Sequence, residues 1–309
     1  MESSNLGNIK ATAVILGGTG EAGTSIGKIF LTEFRSSFPS VRITTRDPDS
    51  PKARELAKLG ADVRPLSEPV EDVFSGADVV IDALPGHLAG DYRERILGAL
   101  VRKNVKVYFL SEYGIEYHIT DFKGYDHDEW ITKRKVAAAA HAALQGKVKV
   151  VELVTGIFHS WVYRPELGID VKKNVYTPLG PGTLRFATTG KNDIGRSVAR
   201  LSILALDPAT TAAVPGRLRI AGHNVSYDEI RDIVARVKGV PKGTIRSGDL
   251  KAAKENLSKH PTDNILDYIT IAVGEGKVDF SDNSNELVNP GQRFWKWRSV
   301  EEELRSPEK

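Results

Sequence analysis

Ala13-Val-Ile-Leu-Gly-Gly-Thr-Gly-Glu-Ala-Gly-Thr-Ser-Ile-Gly-Lys-Ile-Phe30 reads as three things in succession. Ala13 to Leu16 is a short unbroken apolar run, the pattern of a strand buried on both faces. The glycines that follow satisfy G-x-G-x-x-G through Gly18, Gly20 and Gly23, and G-x-x-G-x-x-G through Gly17, Gly20 and Gly23. Ile26, Ile29 and Phe30 then fall at helical spacing. A strand, a glycine cluster and a helix start, in that order, turn bare backbone N–H groups toward an anion. The glycines supply a tight turn, close approach of backbone to a pyrophosphate, and close helix–strand packing. An ordinary glycine-rich turn is the plain alternative. The flanking strand and helix favour a dinucleotide site built from Gly17, Gly18, Thr19, Gly20, Glu21, Ala22 and Gly23.

Composition narrows the classes. A chain of 309 residues can bury a large core in one domain or two. Its formal net charge is +3 with acids and bases interspersed, which is no nucleic-acid footprint and no membrane-binding block. The absence of cysteine removes disulfides, thiolate metal sites and cysteine catalysis. The N-terminal MESSNLGNIK has no apolar signal region, and no apolar run is long enough to span a bilayer. The expectation is a soluble, cytoplasmic protein without a metal; a homodimer is left open.

Strand and helix signals alternate through the first half. Val41–Thr45, Asp78–Leu84, Val105–Leu110 and Val148–Val154 read as strands. Helices are read from Ser50-Pro51, where serine is the N-cap and proline the first helical residue, over Tyr92–Arg102, and over Asp128–Leu144. This order predicts an α/β fold, a Rossmann-type doubly wound parallel sheet with right-handed crossovers. The cleft is expected at the carboxyl ends of the strands. Pro165, Pro178 and Pro181 break the rhythm of the second half. Ser226 with Glu229 and Ser299 with Glu302 fit the capping box. The expectation is an NADP-binding domain over 1–155 and a smaller, mostly helical substrate-binding region over 156–309, with some segments returning to the sheet.

The second strand bears on cofactor choice. An NAD site places an acid near its end for the ribose hydroxyls. Here the strand ends in Arg46, whose planar fork suits a 2′-phosphate, with Lys52 and Arg54 on the next helix. NADP is therefore favoured over NAD. Asp47 keeps the NAD alternative open, and all three bases could be ordinary solvated side chains. The turn Leu84-Pro85-Gly86 is placed beside the cofactor, with His87 next to it.

Tyr-x-x-x-Lys is the usual catalytic pair beside such a loop, the lysine lowering the tyrosine pKa. No tyrosine here has a lysine four positions on; Tyr113 is followed by Tyr117, and Tyr227 by Arg231. Instead the strand ending at Leu110 runs into Ser111-Glu-Tyr-Gly114. This resembles the Ser-Glu-Phe-Gly of the isoflavone-reductase-like branch of the NmrA-like family, an atypical short-chain dehydrogenase/reductase group. Lys133-Arg-Lys-Val136 resembles that family's Lys-x-x-Val/Ile, and Gly156-Ile-Phe158 its Asn-x-Phe. Asn192-Asp-Ile-Gly195 matches an Asp-Ile step before a helix, and Asn224 to Ile230 resembles Asn-x-Leu-Ser-x-Asn-Glu. The resemblance runs over nearly the whole chain in order. Departures are Gly156 in place of asparagine, Ser67 where relatives carry an acid, and Ala137–Ala140 without paired arginines.

The resemblance implies an NADPH-dependent oxidoreductase that passes hydride to a small aromatic enone, ketone or benzylic ether. It implies Lys133 as the catalytic acid–base group beside the cofactor, with Gly156 and Phe158 also at the cofactor. A lysine in an apolar cleft can exchange protons near neutrality. A basic cluster of Lys133, Arg134 and Lys135 facing solvent is the plain alternative, with Lys135 as the spare. Tyr113, His159, Tyr163 and Trp295 are candidate substrate contacts, with Trp161 and Trp297 near them; each could equally be core or packing. A second class also resembles this chain, NmrA-like regulators that bind dinucleotide as redox sensors without turnover. A sugar-nucleotide epimerase or dehydratase is weakened by the missing Tyr-x-x-x-Lys.

Overall fold

The computed structural model describes residues 9–88, 91–118 and 121–308. The chain divides into two compact units. The first takes in the chain up to Glu112, Lys135–Leu153 and Ile194–Leu218; the second takes in Tyr113–Arg134, Val154–Asp193 and the chain from Arg219.

The first unit is built on a parallel sheet. Its elements are β1 (Thr12–Leu16), α1 (Glu21–Leu31), β2 (Ser40–Thr45), α2 (Pro51–Lys58), β3 (Asp62–Pro65), α3 (Val70–Val73), β4 (Val79–Asp82), α4 (Tyr92–Arg102), β5 (Val107–Phe109), the part of α5 (Asp128–Leu144) from Lys135 onward, and β6 (Lys149–Val154). The strand order is β3-β2-β1-β4-β5-β6, with Arg217–Arg219 beyond β6 as a seventh strand. Ala13 of β1 lies level with Val41 of β2 on one side and Val79 of β4 on the other. The order therefore reverses at β1, so the loops after β1 and β4 open a crevice at the switch point, where such sheets take ligands. β4 is buried throughout, and β1 at every position but Thr12, as the continuous apolar runs require.

Ser50 caps α2 by accepting from the Ala53 N–H, and Pro51 opens it. α5 spans the residues read from its sequence, and its buried positions Ala137, Ala140 and Leu144 join the first unit's core with Ile96 and Tyr108. β3 was not anticipated. It reads Asp-Val-Arg-Pro, an edge strand too short and polar to show alternation, and its proline ends it.

The second unit holds more than the helices expected of it. Ile157–Phe158, Arg185–Thr189 and His223–Ser226 form one three-stranded sheet; Ile169–Asp170, Val175–Tyr176 and Thr244–Ile245 form another. Most of these strands are two residues long, below the reach of a periodicity reading. Both capping boxes form, at Ser226–Glu229 and Ser299–Glu302. Asp193 and Ile194 lie inside the first turn of the helix Lys191–Leu206 rather than before it. Among the described residues no helix is long and apolar enough to cross a membrane.

Candidate active site

The glycine loop is fixed by its neighbours. Gly18 N–H donates to Thr44 O at 3.0 Å, Gly17 N–H to Thr44 Oγ1 at 3.2 Å, and Gly20 N–H to Gly17 O at 2.9 Å. The Thr19 and Thr45 hydroxyls are 2.7 Å apart. The loop is thus clamped to the end of β2 by Thr44 and Thr45, which the sequence reading did not single out. Gly17 has a φ of +74°, and a Cβ there would meet Ala83 O at 2.8 Å, so the turn demands glycine. A Cβ on Gly23 would lie 2.3 Å from Gly17 O. On Gly18 it would lie 1.9 Å from Ile43 Cγ2, so this glycine serves the packing of β2 as much as any ligand. Gly20 differs: a Cβ there meets only Gly17 O at 3.2 Å and Ala83 O at 3.8 Å. Gly20 is the N-cap of α1 and gives it no side-chain cap. The first N–H groups of α1, at Glu21, Ala22 and Gly23, lack intrahelical acceptors by helix geometry, which favours an anion there.

Arg46, just past β2, is exposed and borders two cavities of the first unit. One is shared with Thr19, Thr45, Asp47, Ser50 and Lys52. Lys52 Nζ reaches Thr19 O at 3.4 Å, which brings the second base to the glycine loop. Asp47 is engaged in its own turn, its Oδ1 accepting from the Asp49 N–H at 2.9 Å. The other cavity is lined by Leu66, Leu88, Tyr92 and Arg95 beside Arg46, with Ser67 and Glu68. Arg54 is exposed on α2, and His87 is exposed on its loop.

Leu84, Pro85 and Gly86 follow β4 and are held by a carboxylate that sequence reasoning missed. Asp82 is fully buried. Its oxygens accept from Leu84 N–H at 2.9 Å, from Tyr108 Oη at 2.9 Å, and from Arg93. Arg93 also donates to Pro85 O at 2.6 Å, and the Ser111 hydroxyl donates to Leu84 O at 2.7 Å. Burial, then the Asp82 charge, push the Tyr108 phenol well above its ordinary value.

Lys133 belongs to the second unit. It lies on the wall of a cavity there of about 170 Å³. Tyr113, Gly114, Gly156 and Phe158 line it too, with Trp130 and Trp161 among its aromatics and Ile265 and Ile269 closing it. Phe158 and Trp161 meet edge to face at 5.8 Å. Tyr117 and Trp130 stack at 6.3 Å with 10° between planes. Gly156 has a φ of +68°, and a Cβ would lie 2.3 Å from Ala187 O. That clash, with the positive φ, accounts for glycine at this position. Lys133 and Arg134 are half-buried and Lys135 exposed. Against the plain alternative of a solvent-facing cluster, Arg134 donates to Tyr117 O at 3.1 Å and pairs with Asp126.

Glu129 and Trp130 were overlooked, although they sit four and three residues before Lys133, the spacing that shares a helix face. Ile115, Tyr117, Ile265 and Ile269 come from segments whose convergence no local pattern signals.

Three expected substrate contacts are not among the residues lining this cavity. Tyr163 Oη donates to Val300 O at 2.6 Å, so its hydroxyl serves the packing of the second unit. Trp295 packs edge to face on Trp297 at 5.3 Å. His159 is fully buried; desolvation, with the His223 and Arg298 charges, lowers its pKa to about 3. Burial thus favours the neutral imidazole at this position. The unfolded chain takes up a proton at this residue below about pH 6.5, whereas the folded chain resists until about 3. Stability should therefore fall as pH drops through that window, by about 1.4 kcal/mol per unit from this group. Urea denaturation across pH should show His159→Phe flattening the slope; an unchanged slope would assign the loss to other groups.

The NmrA-like family model matches residues 9–264. The chain belongs to the NmrA-like family. Among solved structures it is similar to leucoanthocyanidin reductase with NADPH from Vitis vinifera. The TM-score is 0.75 at 16% identity, with 94% of this chain and 97% of that chain covered. It is also similar to AtPrR2 with NADP+ and (+)pinoresinol, with a TM-score of 0.74 at 17% identity, covering 97% and 100%. An isoflavone reductase matches with a TM-score of 0.72 at 18% identity, covering 96% and 98%. Among curated proteins no sequence match was found.

Proposed function

We propose that this member of the NmrA-like family is an NADPH-dependent reductase of a small aromatic molecule. The observation that carries the reading is the aromatic cavity with a half-buried lysine, Lys133, in its wall. On this reading the first unit binds the cofactor and the second the substrate. The residues of the first unit fit a dinucleotide phosphate. The N-terminus of α1, whose N-cap Gly20 carries no side chain, suits the pyrophosphate. Arg46, Lys52 and the Ser50 and Thr45 hydroxyls suit a 2′-phosphate, and the apolar cavity by Leu66, Leu88 and Tyr92 suits the base. The engagement of Asp47 in its own turn supports NADP over NAD.

When bound, the reduced nicotinamide supplies the hydride. Phe158, Trp130 and Trp161 would hold the aromatic ring and keep water from it. Lys133 would hold its ammonium against the substrate oxygen and give that oxygen a proton as charge develops there. An enone, a ketone or a benzylic ether with a phenolic leaving group suits this arrangement.

The test pairs turnover with titration. NADPH consumption is followed against aromatic enones, ketones and benzylic ethers, and NADPH and NADH affinities are measured for the native chain and Arg46→Glu. The expected loss in Arg46→Glu is about 10–100-fold for NADPH, from a charged hydrogen bond removed, with little change for NADH. Equal weakening of both cofactors would overturn the 2′-phosphate assignment. Tight NADPH binding with no turnover on any substrate would favour the redox-sensor reading.

A further inference from the structure

We propose that Glu129 selects the substrate by accepting a hydrogen bond from a hydroxyl group on its aromatic ring. This rests on the cavity of the second unit being the substrate site. Glu129 is the only carboxylate among the described residues lining that cavity, and Lys133 is the only cation. Both belong to α5, four residues apart, which sets their Cβ atoms about 5–6 Å from each other on one face. The rest of the wall is aromatic or aliphatic apart from the Tyr113 and Tyr117 phenols.

An ionised carboxylate only accepts hydrogen bonds, and an ammonium only donates them. A ligand donor therefore complements Glu129, and a ligand acceptor complements Lys133. A carboxylate has about four lone-pair positions, so Glu129 can take a ligand hydroxyl while keeping a partner within the protein. A ligand ammonium is disfavoured, since the Lys133 charge lies one turn away on the same face. What remains is a neutral donor, taken as a ring hydroxyl. An aromatic ring with a hydroxyl at one end and a carbonyl-bearing chain at the other spans the two groups, its faces against Trp130, Phe158 and Trp161. Methylating the hydroxyl removes the donor and desolvates the carboxylate without compensation, so the same residue attracts one ligand and rejects the other.

The experiment compares a 4-hydroxyphenyl enone with its 4-methoxyphenyl analogue. Binding is read without NADPH by quenching of intrinsic tryptophan fluorescence, since Trp130 and Trp161 form part of the wall. The native chain should bind the hydroxyl ligand about 10–100-fold more tightly. Glu129→Ala should erase that preference, weakening the hydroxyl ligand and tightening the methoxy ligand. Glu129→Gln, which keeps shape and an acceptor but no charge, should retain part of it. An unchanged preference in Glu129→Ala, or equal loss for both ligands, would overturn the role of Glu129. Failure of both ligands to bind the native chain would overturn the aromatic reading of the cavity, and this proposal with it. Binding with the expected preference but no reduction on adding NADPH would sink the reductase reading and leave the selection by Glu129 standing.

Discussion

Lys133→Ala should lower the single-turnover reduction rate by about 10²–10⁴-fold, the usual scale for a lost acid–base group. The reason is placement. α5 turns Ala137, Ala140 and Leu144 into the first unit's core, and Lys133 precedes Ala137 by one turn. It lines the same cavity as Trp130, Ile265 and Ile269, and on the proposed reading its ammonium meets the substrate oxygen among these apolar side chains. A charge that faces the substrate oxygen in such surroundings contributes more to the transition state than it would in water. NADPH affinity should change much less. Lys135→Ala, at an exposed position two residues on, should be nearly silent and controls for the general charge of the helix. Full activity in the Lys133 variant would remove it from the mechanism.

What the sequence disclosed follows from how local each signal is. β1, the glycine cluster and α1 form one contiguous stretch, and each glycine meets a neighbour fixed by that stretch or the strands beside it. Ser50-Pro51 and the two capping boxes were legible because a cap is made within four residues. The hidden parts are those made by convergence. Ile265 and Ile269 reach the Lys133 cavity from a helix far along the chain, and nothing in their own segment distinguishes a cavity wall from core. His159 and Tyr163 follow Phe158 closely, yet only Phe158 lines the cavity. Residues past so short a strand turn to sides that spacing does not fix. Glu129 and Trp130 were readable, because helical spacing from Lys133 names them. Asp82 was hidden by its company: inside Val-Val-Ile-Asp-Ala-Leu it looks like a strand residue, and its partner lies eleven positions on.

That partner gives the second large effect. Arg93→Ala should cost about 3–5 kcal/mol of unfolding free energy, the range for breaking a buried ion pair from one side. Asp82 is fully buried and the Arg93 side chain is only 15% exposed, so solvent screens the pair little. Burial alone would lower the Arg93 pKa, but the Asp82 charge, the Tyr108 oxygen and the hydrogen bonds to both together more than offset it, and the net shift is upward. Without the guanidinium, Asp82 keeps Tyr108 Oη and Leu84 N–H as donors but no countercharge. The loop after β4 loses the Arg93 bond to Pro85 O as well, so Leu84 to Gly86 should loosen beside Gly17. Arg93→Leu combined with Asp82→Asn removes both charges and should recover a large part of the loss, because the cost lies in the orphaned charge rather than in the missing attraction. Urea denaturation of the native chain, Arg93→Ala and the double variant measures all three. A single-variant loss below about 1 kcal/mol, the scale of a solvated surface pair, would mean that water reaches Asp82 and that the loop is held by its neutral hydrogen bonds alone.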